Sequence, residues 1–307
     1  MKLAALSVDL DEIPCYAAIH GLPTPEGATR HAIYERALPR FEAFFGELGI
    51  AATFFAVGRD LERPQVAQAL QRLHAAGHEI ANHSHQHRYD FSRQPPEAMA
   101  RDIGDGAGAI EAAIGQRPRG FRAPGYVVND ALFEILQSQG YLYDSSVFPC
   151  PSYYGAKAAA IAAIALRGRR SHSLFDTPRV LLAPTDPYRV GKHYPRRGKG
   201  LLELPIGVTH LASGRLPYIG TSLVLGGAPV ARWLSERILG RPLVNLELHG
   251  IDLADAEADG LQALRPHQPD LRRALDFKWD ALVAAVQTLR GDGYAFVTLE
   301  QAALAFA

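Results

Sequence analysis

Apolar positions along this chain fall into two alternating patterns. Short apolar runs at 3–8, 50–57, 78–82, 120–122, 142–145, 201–206, 243–248 and 294–298 predict strands. Several are apolar at consecutive positions, as strands buried on both faces require. Between them, segments 28–48, 64–76, 95–114, 130–139, 229–239 and 269–290 carry helical patterns. Pro64 and Pro95 suit first-turn positions, where a missing N–H is harmless, and Gly49, Gly77, Gly115, Gly140 and Gly240 stand where those helices should stop.

Strand followed by helix, repeated seven or eight times, predicts a (β/α) barrel of seven to eight parallel strands. The alternative, an open doubly wound sheet, usually places a glycine-rich phosphate turn after its first strand. Here the first strand runs into Asp9, Asp11 and Glu12 instead. No internal repeat or low-complexity linker interrupts the chain, so residues 1–307 are expected to form a single domain. One stretch departs from the rhythm. Residues 151–200 hold ten Lys/Arg against Asp176 and Asp186, with many Pro, Gly and Tyr, and read as a basic insertion with a helix at 157–166.

Composition narrows the function classes. With 307 residues, 48% hydrophobic and 21% charged, the chain has an ordinary globular balance. A formal net charge of zero gives no global pull toward nucleic acid. Cys15 and Cys150 are too few for a disulfide framework or a cysteine-rich metal site. No signal-peptide pattern precedes Asp9, and the longest apolar stretch, 158–166, falls short of the ~20 residues that span a bilayer. A cytoplasmic location is expected, with a peripheral position at the inner membrane face as its extension. Oligomeric state is not legible.

In such a barrel, chemistry gathers where strands end. Asp9 and Asp11 end the first strand, His83 and His87 follow the third, Arg122 ends the fourth and His249 ends the seventh. A His-x-x-x-His pair puts two imidazoles on one side when the intervening residues make a helical turn, and one added carboxylate completes a His₂Asp site suited to Zn²⁺. Co, Ni and Fe are alternatives, because this donor set discriminates poorly. His85 is out of phase with the pair. The bland readings are a turn-capping Asp11, an Arg122 paired with Glu79, a satisfied core His249, and Trp233 and Trp279 as helix packing.

The ordered segments Ser-Val-Asp-Leu-Asp (7–11), Thr-Phe-Phe-Ala-Val-Gly (53–58), Gly-His-Glu-Ile-Ala-Asn-His-Ser-His-Gln-His (77–87), Phe-Arg-Ala-Pro-Gly-Tyr (121–126) and Leu-Glu-Leu-His (246–249) resemble the NodB-homology polysaccharide deacetylases, carbohydrate esterase family 4. The resemblance implies a metal-dependent hydrolase acting on an N-acyl amide, acetyl or formyl, of an amino sugar or lipid-linked sugar. It implies Asp9 as general base, Arg122 as its orienting partner, and His249 as general acid. It also implies Asp11, His83 and His87 as ligands of one divalent ion, and Gly125 and Tyr126 at the oxyanion and substrate. The acids are spaced by Leu10 rather than adjacent, which resembles the branch holding allantoinase-like amidases and leaves an exchange of the Asp9 and Asp11 roles open. The fourth motif of the family, an Asp and a Trp that tune the acid His, has no clear match, although Asp144 lies nearby.

Three function classes follow. The first is a sugar N-deacetylase or deformylase. The second is an amidase on a small cyclic or linear amide. The third is an inactive carbohydrate-binding module on the same fold. A groove lined by Tyr153, Tyr154, Tyr188 or Tyr218 would mark a sugar site. The basic segment is expected either to close over the site as a solvated loop or to meet a phosphate or anionic membrane surface.

Overall fold

The first predicted strand, β1 (Leu3–Asp9), is buried at all seven positions, as its largely apolar run predicts. The computed structural model describes residues 2–174 and 176–307. After β1 come α1 (Ile13–Ile19), α2 (Leu38–Leu48), β2 (Thr53–Ala56), α3 (Pro64–Ala75), β3 (Glu79–Asn82) and α4 (Pro96–Ile114). The middle of the chain forms β4 (Gly120–Phe121), α5 (Asp130–Ser138), β5 (Tyr143–Asp144), α6 (Pro151–Leu166), β6 (Tyr188–Val190) and β7 (Arg197–Glu203). The last part supplies α7 (Gly220–Glu236), β8 (Leu243–His249), α8 (Leu275–Gly291), β9 (Ala295–Phe296) and α9 (Leu299–Phe306).

The strands form one sheet in the order β6-β7-β5-β4-β3-β2-β1-β8, with β9 also pairing β1. Pairing is parallel except between β6 and β7. The sheet curls into a half-barrel of the expected (β/α) type, but among the described residues β6 and β8 do not pair to close it. The longest parallel register joins β1 and β8 across seven residue pairs, with Ser7 opposite Glu247 and Asp9 opposite His249.

Two faces of β1 separate core from site. Ala4, Leu6 and Val8 pack outward into the cluster that includes Phe41, Phe44, Phe45 and Leu282. Leu3 and Ala5 face inward with Phe55, Tyr143 and Leu243, and Leu299, Ala302 and Ala303 of α9 plug this lower end. Further along the same inward face stand Ser7 and Asp9, because side chains two apart share a face. The interior is therefore apolar at its base and polar at the rim where the strands end.

Several boundaries differ from the sequence expectation for local reasons. The predicted 28–48 helix is three pieces, a 3₁₀ turn at Gly27–His31, a wide turn at Ile33–Ala37 and then α2. Helix α7 begins nine residues before the expected start at 229, because Gly227 (φ 72°, ψ −177°) kinks the helix without ending it. Trp279 does pack edge-on to Phe44, with centroids 5.1 Å apart. Trp233, expected in the core, is instead 42% exposed under the Arg237 guanidinium. Residues 151–200 supply α6, β6 and the start of strand β7. Helix α6 begins at Pro151 rather than 157, and most of its length lies on the surface, ending at Leu166, which is 89% exposed. No helix among the described residues is long and apolar enough to cross a membrane.

Candidate active site

The inward side chains at the rim converge from separate strands, and each owes its place to strand alternation. Arg122, one residue past β4, is fully buried. Its Nη1 donates to Asp9 Oδ1 at 2.7 Å and to Ser7 Oγ at 3.0 Å. Its Nε donates to the Ser145 carbonyl and its Nη2 to Ser145 Oγ. The guanidinium lies 4.1 Å from the centre of the Phe55 ring, so charge, hydrogen bonds and stacking fix one orientation. Asp9 thus has one oxygen neutralised. The other, Oδ2, is buried without a hydrogen-bond partner and lies 3.8 Å from His83 Nε2.

Asp11, His83 and His87 offer ligand atoms that all lie within 4.8 Å of one another. The two histidines do not converge through a helical turn. Ser84 (φ 66°) and His87 (φ 49°) both adopt left-handed backbone, and Ser84 Oγ accepts from the His87 N–H at 3.0 Å to hold the loop. Such non-glycine conformations are costly and persist where surrounding structure imposes them.

The histidine hydrogen bonds set the chemistry. The Arg122 carbonyl sits 2.7 Å from His83 Nδ1 and can only accept, so Nδ1 carries the proton. In the neutral ring, Nε2 then presents its lone pair to Asp11 Oδ1 at 3.3 Å. His87 Nε2 approaches the same oxygen at 2.9 Å. Two imidazole nitrogens aimed at one buried carboxylate oxygen require positive charge between them, as protons or as a cation. Protons are held tightly in this geometry. Burial pushes His83 down, but Asp9 and Asp11 more than reverse it, and His87 is raised to about 9, chiefly by Asp11 against burial. Burial pushes Asp11 up, and the two imidazoles then hold it well below the usual carboxylate range. Mixed nitrogen and oxygen donors with a fixed Nδ1–H fit a divalent ion.

On the neighbouring strand β8, His249 Nδ1 lies 2.8 Å from Glu247 Oε1, and its Nε2 lies 3.2 Å from the Tyr126 hydroxyl. Burial pushes His249 down, but the charge and hydrogen bond of Glu247 prevail and leave it well above an ordinary imidazole. Glu247 is lowered in return despite full burial. The pair stands as imidazolium and carboxylate near neutrality, a proton donor facing Asp9 across the β1–β8 register.

The family model for polysaccharide deacetylase matches residues 29–143, the stretch that carries His83, His87 and Arg122. Over that stretch the chain is similar to the polysaccharide deacetylases. A peptidoglycan-N-acetylglucosamine deacetylase of Bacillus cereus is 38% identical over 92 residues, 29% of this chain and 40% of that relative. The matched part therefore spans well under half of the curated relative's length. A polysaccharide deacetylase structure from Mycobacterium smegmatis superposes with a TM-score of 0.56 at 18% identity, covering 99% of this chain and 90% of that one. A family 4 acetyl xylan esterase from Clostridium thermocellum, solved with cobalt, gives a TM-score of 0.50 at 16% identity, covering 98% and 89%. These two likenesses concern the fold.

Against this family pattern, the remaining residues sort clearly. Glu12, the third acid of the cluster, turns away: Oε2 accepts from the Ile33 N–H, and burial raises its carboxyl to about 8. His85 stays outside the triad, its N–H bonded to the Asp102 carbonyl. Asp144 does not reach His249; its oxygens accept from Ser146, and burial raises it beside Glu203. Glu79 takes hydrogen bonds from Thr53 and Tyr143 and is not the partner of Arg122. Gly125 sits in a left-handed turn (φ 64°) whose carbonyl accepts from Lys157 Nζ at 3.0 Å. Tyr126 is buried, its N–H taken by the Ala123 carbonyl and its phenol turned to His249. Tyr153 stands beside Tyr126, with centroids 6.2 Å apart. Tyr188 and Tyr218 are buried, their hydroxyls engaged by the Tyr194 carbonyl and Ser235.

Two residues escaped the sequence reading. Glu247 has the signal of sitting two positions before His249 on a strand, hence on the same face. Lys157 carried no such mark; it was read only as one charge of the basic segment.

Proposed function

We propose that this chain hydrolyses the N-acetyl amide of an amino sugar in a polysaccharide or oligosaccharide, using a divalent ion held by Asp11, His83 and His87. The sugar class follows the Bacillus cereus relative, which is named for N-acetylglucosamine. The observation that carries the reading is the pairing of a half-neutralised Asp9 with a protonated His249 on facing strand ends, beside the His₂Asp set. An inactive binding module would have no use for two opposed proton-transfer groups.

When bound, the ion supplies Lewis-acid polarisation of the amide and a more acidic water, with Zn²⁺ the first expectation. The protein's own part is proton management. Asp9, oriented through Oδ1 by Arg122, has Oδ2 free to take a proton from water. Nitrogen cannot leave as an anion, so His249, kept charged by Glu247, donates to it. The Gly125 amide, in a turn pinned by Lys157, faces the oxyanion in this reading.

The test is acetate release from N-acetylglucosamine oligomers after chelation and reconstitution with Zn²⁺, Co²⁺, Ni²⁺ or Fe²⁺. Activity should vanish on chelation and return with an ion. His249→Ala should lose roughly 10²–10⁴ in turnover with metal content unchanged. Undiminished release after exhaustive chelation overturns the metal assignment, and a fully active His249→Ala overturns the acid.

A further inference from the structure

A cavity of about 1010 Å³ opens beside the site, between α1, the 86–94 loop and the segment 170–174. His87 and Cys15 lie in its wall, so the cavity adjoins the His₂Asp set, with the His87 imidazole itself buried behind that wall. Its charge is one-sided. Arg30, Arg59, Arg88, Arg93 and Arg170 line it, against the single carboxylate of Asp90. That carboxylate is already engaged by Arg88 through both oxygens and by Gln94. Arg59 is 3.9 Å from Asp60. Among the described residues Arg30, Arg93 and Arg170 form no ion pair. Arg170 is brought there deliberately by the fold: the His172 N–H donates to the Ala18 carbonyl and straps this segment across the end of α1.

Like charges gathered around one cavity repel, and a chain of zero net charge has carboxylates to spare for them. Guanidinium groups left without partners around a polar cavity match the planar oxygens of carboxylate and phosphate. We propose that this cavity binds an anionic group, carboxylate or phosphate, carried on the amino sugar whose N-acyl group is cleaved. The inference rests on the deacetylase reading for its substrate and makes Arg30, Arg93 and Arg170 specificity-determining residues. The cavity thus selects a charged sugar over the neutral one.

Calorimetry separates this from the deacetylase reading, because binding needs no turnover. The full chain is titrated with N-acetylglucosamine, N-acetylmuramic acid and N-acetylglucosamine 6-phosphate, and acetate release from each is measured in parallel. At low salt at least one anionic sugar should bind about tenfold tighter than the neutral one, and the advantage should shrink with added KCl. The sugar that shows it identifies carboxylate or phosphate as the group recognised. In Arg30→Gln/Arg93→Gln/Arg170→Gln the advantage should disappear while the neutral sugar binds as before. A control removing the same charge elsewhere, Arg101→Gln/Lys199→Gln/Arg232→Gln, should keep it. Equal binding of all three sugars by the native chain overturns the proposal, as does a preference that survives the triple substitution. Preference without acetate release would sink the deacetylase reading and leave this one standing; release without preference would do the reverse.

Discussion

Glu247 offers the most direct test of the acid–base assignment. Glu247→Gln keeps the volume and a hydrogen-bond acceptor at 2.8 Å from His249 Nδ1 but removes the charge. A hydrogen bond to a charged partner contributes about 1.5–3 kcal/mol, and about 1.4 kcal/mol moves a pKa by one unit. Glutamine retains part of the bond but not the charge, so the His249 pKa should fall toward the ordinary imidazole range. The sign follows from the role: the acid works while protonated, and Glu247 holds it protonated to higher pH. Turnover should therefore be lost earlier as pH climbs, with the alkaline limb of the profile displaced to lower pH. Acetate release between pH 5 and 10 reads the limb, metal content serves as control, and Glu247→Asp should fall between native and Gln. An alkaline limb that stays in place while turnover drops would refute the claim that Glu247 sets the proton affinity of His249.

Three further outcomes follow from the same geometry. His83→Ala and His87→Ala should each lose the bound divalent ion together with activity, as read by elemental analysis of the purified chain. Asp11→Asn should lose the ion while Asp9→Asn keeps it and loses roughly 10²–10⁴ in turnover; the opposite result reverses the two assignments. Arg122→Gln strips a buried carboxylate of its partner, so urea unfolding should show about 3–5 kcal/mol of lost stability. Adding Asp9→Asn should then recover part of that loss in a double-mutant cycle.

The sequence reading succeeded where one physical requirement dominated. Parallel strands covered on both faces must be apolar throughout, so all eight predicted strands exist, although 201–206 is placed late. Strand β7 begins at Arg197 in a polar, glycine-rich stretch with no apolar signal, and it is paired by β6, whose three residues sit among Pro, Asp and Arg. Helix α1 is seven residues long with Pro14 in its first turn, too short for a periodicity to emerge. In the site, residues at strand ends were legible because parallel strands deliver their C-terminal ends to one rim. What could not be read is conformational. The left-handed Ser84 and His87 replace the helical turn expected of the histidine spacing, and nothing in their identities announces it. The positive charge of the 151–200 segment was plain, but its division was not: Arg167 and Arg169 line a cavity behind α6 while Arg170 enters the one beside His87.

The Asp9–His249 register has a consequence for how such a protein can change. Their α-carbons are partners on adjacent parallel strands, so the spacing of the two groups is the sheet's own repeat of roughly 4.8 Å. Side-chain substitutions nearby leave this backbone spacing in place, and a one-residue slip of β8 against β1 would turn His249 to the opposite face and away from Asp9. The proton-transfer geometry is thus inherited with the backbone and insulated from drift. Room for a different substrate lies in the loops above the rim, where the arginine-lined cavity and its strap stand.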